Sequence, residues 1–225
     1  MEASLRLTIV LLLLSPFFGQ CQKYLPCQLT FKDGTAEAGY VKVFHSRDEK
    51  IYFKPNLQSK REKINTTAIQ EIWLTHEEDT LIFQKYKLGS YKRGGAKLKL
   101  YYGTCWANKI YETDKIEAFQ FPVYHDNFDM GDLLIAFNTT SSVGLNFLEL
   151  KMNIGVRFPE LEAIVDVAGG AGTKGLDAAK FRRRLKNYLI RHCLAFRKIV
   201  KTDDSDSIRN LKEYLDYYTE VCGSH

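Results

Sequence analysis

The stretch EAIVDVAGGAGTKGLDAAKFRRRL (residues 162–185) admits two readings, and each implies a different fold. Gly170, Gly172 and Gly175 follow a short apolar run and precede a helical pattern, in the spacing G-x-G-x-x-G. That spacing lets a backbone wrap a dinucleotide pyrophosphate at a helix N-terminus. A dinucleotide site also needs a parallel sheet of βαβ units, with an acid at the end of the next strand. Only 50 residues follow Gly175, they carry no further apolar strand, and the next acids, Asp203 and Asp204, sit in a polar turn. A phosphate loop fails as well, because Leu176 stands where Lys-Ser/Thr should follow the last glycine. We therefore read residues 168–176 as a glycine-rich linker that holds no phosphate, and we expect no cofactor.

Upstream of the glycines the text is β. CQLTFKDGTAEAGYVKVFHS (residues 27–46) alternates, breaks at Asp33-Gly34 and resumes through Tyr40, Val41, Val43 and Phe44. KIYFKP, AIQEIWLT, DTLIFQKYKL, AKLKLYYG, NKIYE, FQFPVY and DLLIAF follow, separated by Gly, Asp, Asn and Pro. Short runs of β-branched and aromatic residues at this pace predict an antiparallel β-barrel or β-sandwich over residues 22–167. The opening runs resemble, in strand rhythm alone, the strongly bent small barrels of Sm-like type.

Downstream the period changes. Phe181, Leu185, Leu189, Cys193, Phe196 and Val200 recur at steps of three and four, which predicts one helix of roughly 24 residues that Asp177 is placed to cap. KTDDSDS breaks it, and Ile208, Leu211, Leu215 and Tyr218 mark a second helix ended by Gly223. Residues 177–225 thus read as a C-terminal α-helical hairpin, and the whole chain as α+β. An antiparallel hairpin turning near residues 203–207 sets Cys193 and Cys222 at similar height, at a rise of about 1.5 Å per residue. This favours a disulfide between them over two buried free thiols. Cys27 with Cys105 is a companion pairing, both falling near strand ends.

Residues 1–21 stand apart. Arg6, the apolar run Leu7–Leu14 and the small residues after Pro16 make a secretory signal peptide, since the run is too short to span a bilayer. Cys21 is either removed with it or becomes a lipidated N-terminus. No later run could cross a membrane. What remains is long enough for a substantial core, and 45% hydrophobic with 26% charged residues argues against disorder. Export places the four remaining cysteines in a disulfide-permitting compartment.

The tail, FRRRLKNYLIRHCLAFRKIV followed by NLKEYLDYYTEVC, resembles the C-terminus of a group of uncharacterised exported proteins of Bacteroidota. The matching positions are Phe181, Tyr188, Leu189, Cys193, Ile199, Tyr217, Tyr218 and Cys222, and the β-rich front is similar as well. The chain departs from the group at His192 and Leu194, where Asp and Pro are frequent. The resemblance implies a periplasmic, envelope-associated or secreted location and no known enzyme activity.

Chemistry-bearing clusters are few. Lys180 to Lys201 holds nine Lys and Arg and no acid, including Arg182, Arg183, Arg184 and Lys186. Such a run is either a solvated face offset by acids of the next helix, or an attachment to phosphate-bearing surfaces. Export removes nucleic acid as a partner and leaves lipopolysaccharide, anionic phospholipid or an acidic protein. YHDNFDMGD offers His125, Asp126, Asp129 and Asp132 for acid–base work, or simply a polar turn. The five histidines are scattered and no metal-ligand spacing occurs. Asn65 and Asn138 begin Asn-Thr-Thr sequons, which are surface turns or, in a eukaryotic secretory route, glycan acceptors. The favoured reading is a non-catalytic exported envelope or surface protein binding an anionic surface or partner. The alternative is a hydrolase of an envelope polymer or lipid built on the His125 cluster.

Overall fold

The computed structural model describes residues 24–76, 79–91, 98–122, 152–167, 178–199 and 211–223. Ten strands form one sheet: β1 (Tyr24–Phe31), β2 (Ala36–Lys42), β3 (Lys50–Lys54), β4 (Glu62–Asn65), β5 (Ile69–His76), β6 (Asp79–Tyr91), β7 (Leu98–Glu112), β8 (Glu117–Pro122), β9 (Met152–Arg157) and β10 (Ala163–Asp166). Among the described residues three helices follow, α1 (Ala178–His192), α2 (Leu194–Ile199) and α3 (Leu211–Gly223).

The strand order is β10-β9-β8-β7-β6-β5-β1-β2-β3-β4, and β10 also pairs with β6. Five strands, β6 to β10, therefore close into a barrel, while β5, β1, β2, β3 and β4 extend from it as a meander. Neighbours pair antiparallel except at the closing seam, where Ala163, Ile164 and Val165 run parallel to Lys87, Leu88 and Gly89. β6 serves both parts: its first half pairs with β5 from Asp79 to Gln84, its second half with β10. A bulge makes this possible. The register of β6 against β7 slips between Lys87 and Gly89, opposite Gly103, whose φ of 70° an L side chain rarely adopts. AKLKLYYG and NKIYE, expected as two strands, are accordingly one bent strand, β7.

β9 has no signature of its own in the sequence, and the reason is steric. Ile154 and Val156 face one side, so Gly155 faces the barrel interior. A Cβ on Gly155 would lie 2.4 Å from Ile164 Cγ2 and 3.2 Å from Phe121 Cε1, so only glycine lets β9 and β10 approach there. The apolar alternation that announces a strand is missing because the interior position must be empty.

Alternation sorts the core. Leu88, Cys105, Ala107, Phe119, Phe121 and Ile164 fill the barrel. Ala118, Ile154, Val156, Val165 and Val167 face outward, where Leu185, Leu189, Phe196, Leu211, Leu215 and Tyr218 of the helices cover them. A third cluster, around Leu29, Phe53, Phe83 and Trp106, lies inside the curve of the meander. The connection between β2 and β3 is tied across the barrel by Ser46, whose N donates to Pro122 O and whose O accepts from Trp106 N, both at 2.8 Å.

The expected helix of roughly 24 residues is interrupted at Cys193, where α1 ends and α2 begins, although Cys193 N still donates to Leu189 O at 3.2 Å. Cys193 is bonded to Cys222 of α3, with Cα atoms 6.1 Å apart. Cys27 and Cys105, the proposed companion pair, are free thiols. Cys105 is next to Trp106 on β7, so the two point to opposite faces; Cys27 shares the meander cluster with Trp106, and Cys105 lies inside the barrel. The helices also share one buried cluster with β8, β9 and β10, so the packing continues across the expected boundary at residues 168–176.

Two outcomes follow for stability. Gly155→Ala is expected to cost about 1–3 kcal/mol, or to unfold the barrel seam, in urea denaturation. Reducing the Cys193–Cys222 bond, or Cys193→Ser, is expected to remove about 3–4 kcal/mol, the chain-entropy value for a loop of this length. Non-reducing peptide mapping should recover that one bridge, with Cys27 and Cys105 alkylated only after unfolding.

Candidate anion-binding face

The meander has a buried and an exposed face, and its register fixes what each presents. Tyr24 pairs with Lys42, Pro26 with Tyr40, Tyr40 with Lys54, and Tyr52 with Lys63. Leu25, Val41, Ile51 and Phe53 occupy the intervening positions and are buried. The outward positions of β1 to β4 therefore bring together Tyr24, Tyr40 and Tyr52 with Lys42, Lys50, Lys54 and Lys63. Arg61 continues the same parity just before β4. No carboxylate occupies an outward position of these four strands.

Tyr52 is the centre of this face. Arg61 Cζ stands 5.0 Å from its ring centroid, and Lys42 Nζ and Lys63 Nζ each stand 5.7 Å away. β2 supplies one lysine and β4 the other, on either side of the tyrosine on β3. Tyr24 carries Lys54 Nζ in the same way at 4.8 Å, and that ammonium also donates to Leu57 O at 3.1 Å. Each contact is worth about 0.5–1 kcal/mol at an exposed site. The ring does not neutralise its cations. The three heads around Tyr52 are no more than about 11 Å apart, a bound somewhat beyond the screening length of about 8 Å in physiological salt, so salt weakens their mutual repulsion. Among the described residues none of the three forms an ion pair with a carboxylate. Beside them Lys42, Phe44, Asp48, Glu49, Tyr52 and Lys63 line an open depression of about 340 Å³. Asp48 in it accepts from His45 N at 2.8 Å.

The basic helix is different. Arg183 is exposed, Arg184 and Lys186 are half-buried, and the side chain of Arg182 lies outside the described residues. Arg184, Lys186, Arg191 and Lys198 are each engaged in contacts within the molecule. His192 stacks on Phe158 with centroids 3.7 Å apart and pairs with Glu160. Among the acids of α3, Asp216 is taken by Lys212 and by the Tyr111 hydroxyl.

His125, Asp126, Asp129, Asp132 and Asn138 lie outside the described residues, as does the glycine segment 168–176. Asn65 closes β4 in an exposed turn, its Oδ1 accepting from Thr67 N at 3.0 Å and Thr67 Oγ1 at 2.9 Å. Burial pushes the Cys27 and Cys105 thiols up to about 12, so both are protonated at neutral pH and neither is a nucleophile there.

A second depression, of about 400 Å³, is rimmed by Glu117 and Arg157 near the end of the barrel. Its charges serve the fold. Glu117 is bonded by Arg157, which packs over Phe119 and Tyr86, and by Lys109 at 2.9 Å. Burial opposes the charge on Glu117, but the hydrogen bonds from Arg157 and Lys109 outweigh it and hold the carboxyl below its usual value.

The sequence reading missed the Tyr52 face. Its trace is in KIYFK, where Lys50, Tyr52 and Lys54 alternate with two buried residues. The approach of Lys42 and Lys63 depends on pairing, which no single strand displays. Against models of known families, curated proteins and solved structures, the chain finds no match.

A carboxyl whose folded pKa is depressed stabilises the fold above its unfolded value and loses that contribution as pH falls through the folded one. Glu117→Gln is expected to lower the melting temperature at pH 7 by roughly 2–4 °C, about 1 kcal/mol. The gap to the parent should narrow as pH falls below the carboxylate range in a thermal-melt series.

Proposed function

We propose that this chain is a non-catalytic exported protein of the cell envelope or surface, and that it binds an anionic surface or partner through the outward face of β1 to β4. One observation carries the reading: Lys42, Arg61 and Lys63 converge on Tyr52, and among the described residues none of the three forms a salt bridge, although Asp48 and Glu49 line the adjoining depression. Holding like charges together opposes folding, and an anion bound over them relieves that repulsion. The tyrosine contributes rigidity, because a lysine or arginine laid over a ring loses less freedom when it meets a ligand than one waving in solvent.

This reading moves the binding site from the basic helix expected from the sequence to the meander. On α1 three of the four Lys and Arg with described side chains, Arg184, Lys186 and Arg191, already have contacts within the molecule; around Tyr52 the cations are held by an uncharged ring. Export is supported by the apolar N-terminal run and by the resemblance in the tail.

The experiment is a salt titration of binding to inorganic polyphosphate, a probe without sequence or lipid. Affinity should fall steeply with salt. Lys42→Gln, Arg61→Gln and Lys63→Gln together should weaken it on the order of 100-fold at low salt, from about 1 kcal/mol per cation. Arg183→Gln with Arg184→Gln and Lys186→Gln should change it by no more than about threefold. The reverse ranking would return the site to the helix.

A further inference from the structure

The turn between β3 and β4 holds a residue that a purely electrostatic face does not need. Leu57 is 51% exposed there, and Leu194 of α2 is the other exposed large apolar side chain among the described residues. Asn56 Oδ1 accepts from Gln58 N at 3.1 Å and Ser59 N at 2.9 Å, while Lys54 Nζ grips the carbonyl of Leu57. The leucine is thus presented on a fixed turn, after Pro55, with Lys54 on one flank and Lys60 and Arg61 on the other.

We propose that Leu57 and the Lys42–Arg61–Lys63 triad together dock the protein on a bilayer of phosphate-bearing anionic lipid. The cations take headgroup phosphates, and Leu57 enters the boundary between headgroups and acyl chains. The inference rests on the anion-binding reading above and commits it to one occupant. Charge complementarity selects the phosphates: a guanidinium presents paired donors to phosphate oxygens, and two ammonium groups flank it at the same ring. Leu57 selects the lipid, because a soluble polyanion gains nothing from an exposed leucine, whereas a bilayer buries it. An apolar side chain beside a basic cluster is the pairing that peripheral attachment uses, each part too weak alone. No described helix is long and apolar enough to cross a membrane, so attachment of this kind works from the sheet.

The test uses the full exported chain with vesicles of phosphatidylcholine, with and without one third phosphatidylglycerol, and polyphosphate as a lipid-free probe. Co-sedimentation is expected with the anionic vesicles only, and to fall with salt. Leu57→Ser should weaken vesicle binding by roughly tenfold, a fraction of the full burial of a leucine, and leave polyphosphate affinity unchanged. Lys42→Gln/Arg61→Gln/Lys63→Gln should weaken both. Each substituted side chain is on the surface, and unchanged circular dichroism and melting temperature serve as the folding control. Triad-dependent polyphosphate binding without vesicle binding overturns the lipid assignment and leaves the anion-binding face standing. Loss of both overturns the two together. Vesicle binding indifferent to Leu57→Ser, or equal on neutral lipid, also overturns the lipid assignment.

Discussion

The barrel exists because two backbones come within reach of each other at one seam. β10 must lie against β9 and β6 at once, and the side chain that would prevent it is missing at Gly155. Everything outside the barrel follows from that closure. β6 spends its second half on β10, so its first half remains for β5, and the meander grows from there. The outer wall of the barrel, lined by Ile154, Val156, Val165 and Val167, is then the apolar surface on which α1, α2 and α3 settle. The disulfide joins the break between α1 and α2 to the end of α3, fixing helices that are each too short to persist alone.

Charge is distributed by the same geometry. Where the sheet is covered on both faces, its ions are paired and near the rim, as Glu117 is with Arg157 and Lys109. Where one face is left to solvent, alternation puts tyrosines and cations on it together. A lysine next to a tyrosine across a strand is ordinary; two lysines and an arginine around one ring is a local concentration of positive charge.

Much of this was legible from the sequence, for identifiable reasons. Alternation in CQLTF and KIYFK, the breaks at Gly34 and Pro55, and the step from period two to period three-and-a-half near Ala178 all act over a few residues. The bond between Cys193 and Cys222 was legible because helix rise converts spacing into height. What escaped depends on contacts between distant segments. β9 was hidden by the glycine its neighbours demand. Joining of two runs into β7 needed a bulge at Gly103, where glycine reads as a turn. Cys27 and Cys105 looked like partners until the opposite facing of Cys105 and Trp106 put them in separate clusters. The face around Tyr52 escaped because β2 and β4 bring their lysines to it from either side. The nine cations of the C-terminal run stood out because they are contiguous.

β4 has a further consequence for how copies of the chain treat one another. Among the described strands, closure leaves one lateral margin, at β4, whose backbone groups on that side face away from β3. A bare margin invites the same margin of another molecule. Here it is four residues long, Glu62–Asn65, with Lys60 and Arg61 just before it, so the margin and its approach carry three cations to one acid, and two molecules meeting edge to edge bring an excess of positive charge together. The cations that hold two such margins apart are those of the proposed anion-binding face, so an anion that neutralised them would also lower the barrier between neighbouring molecules.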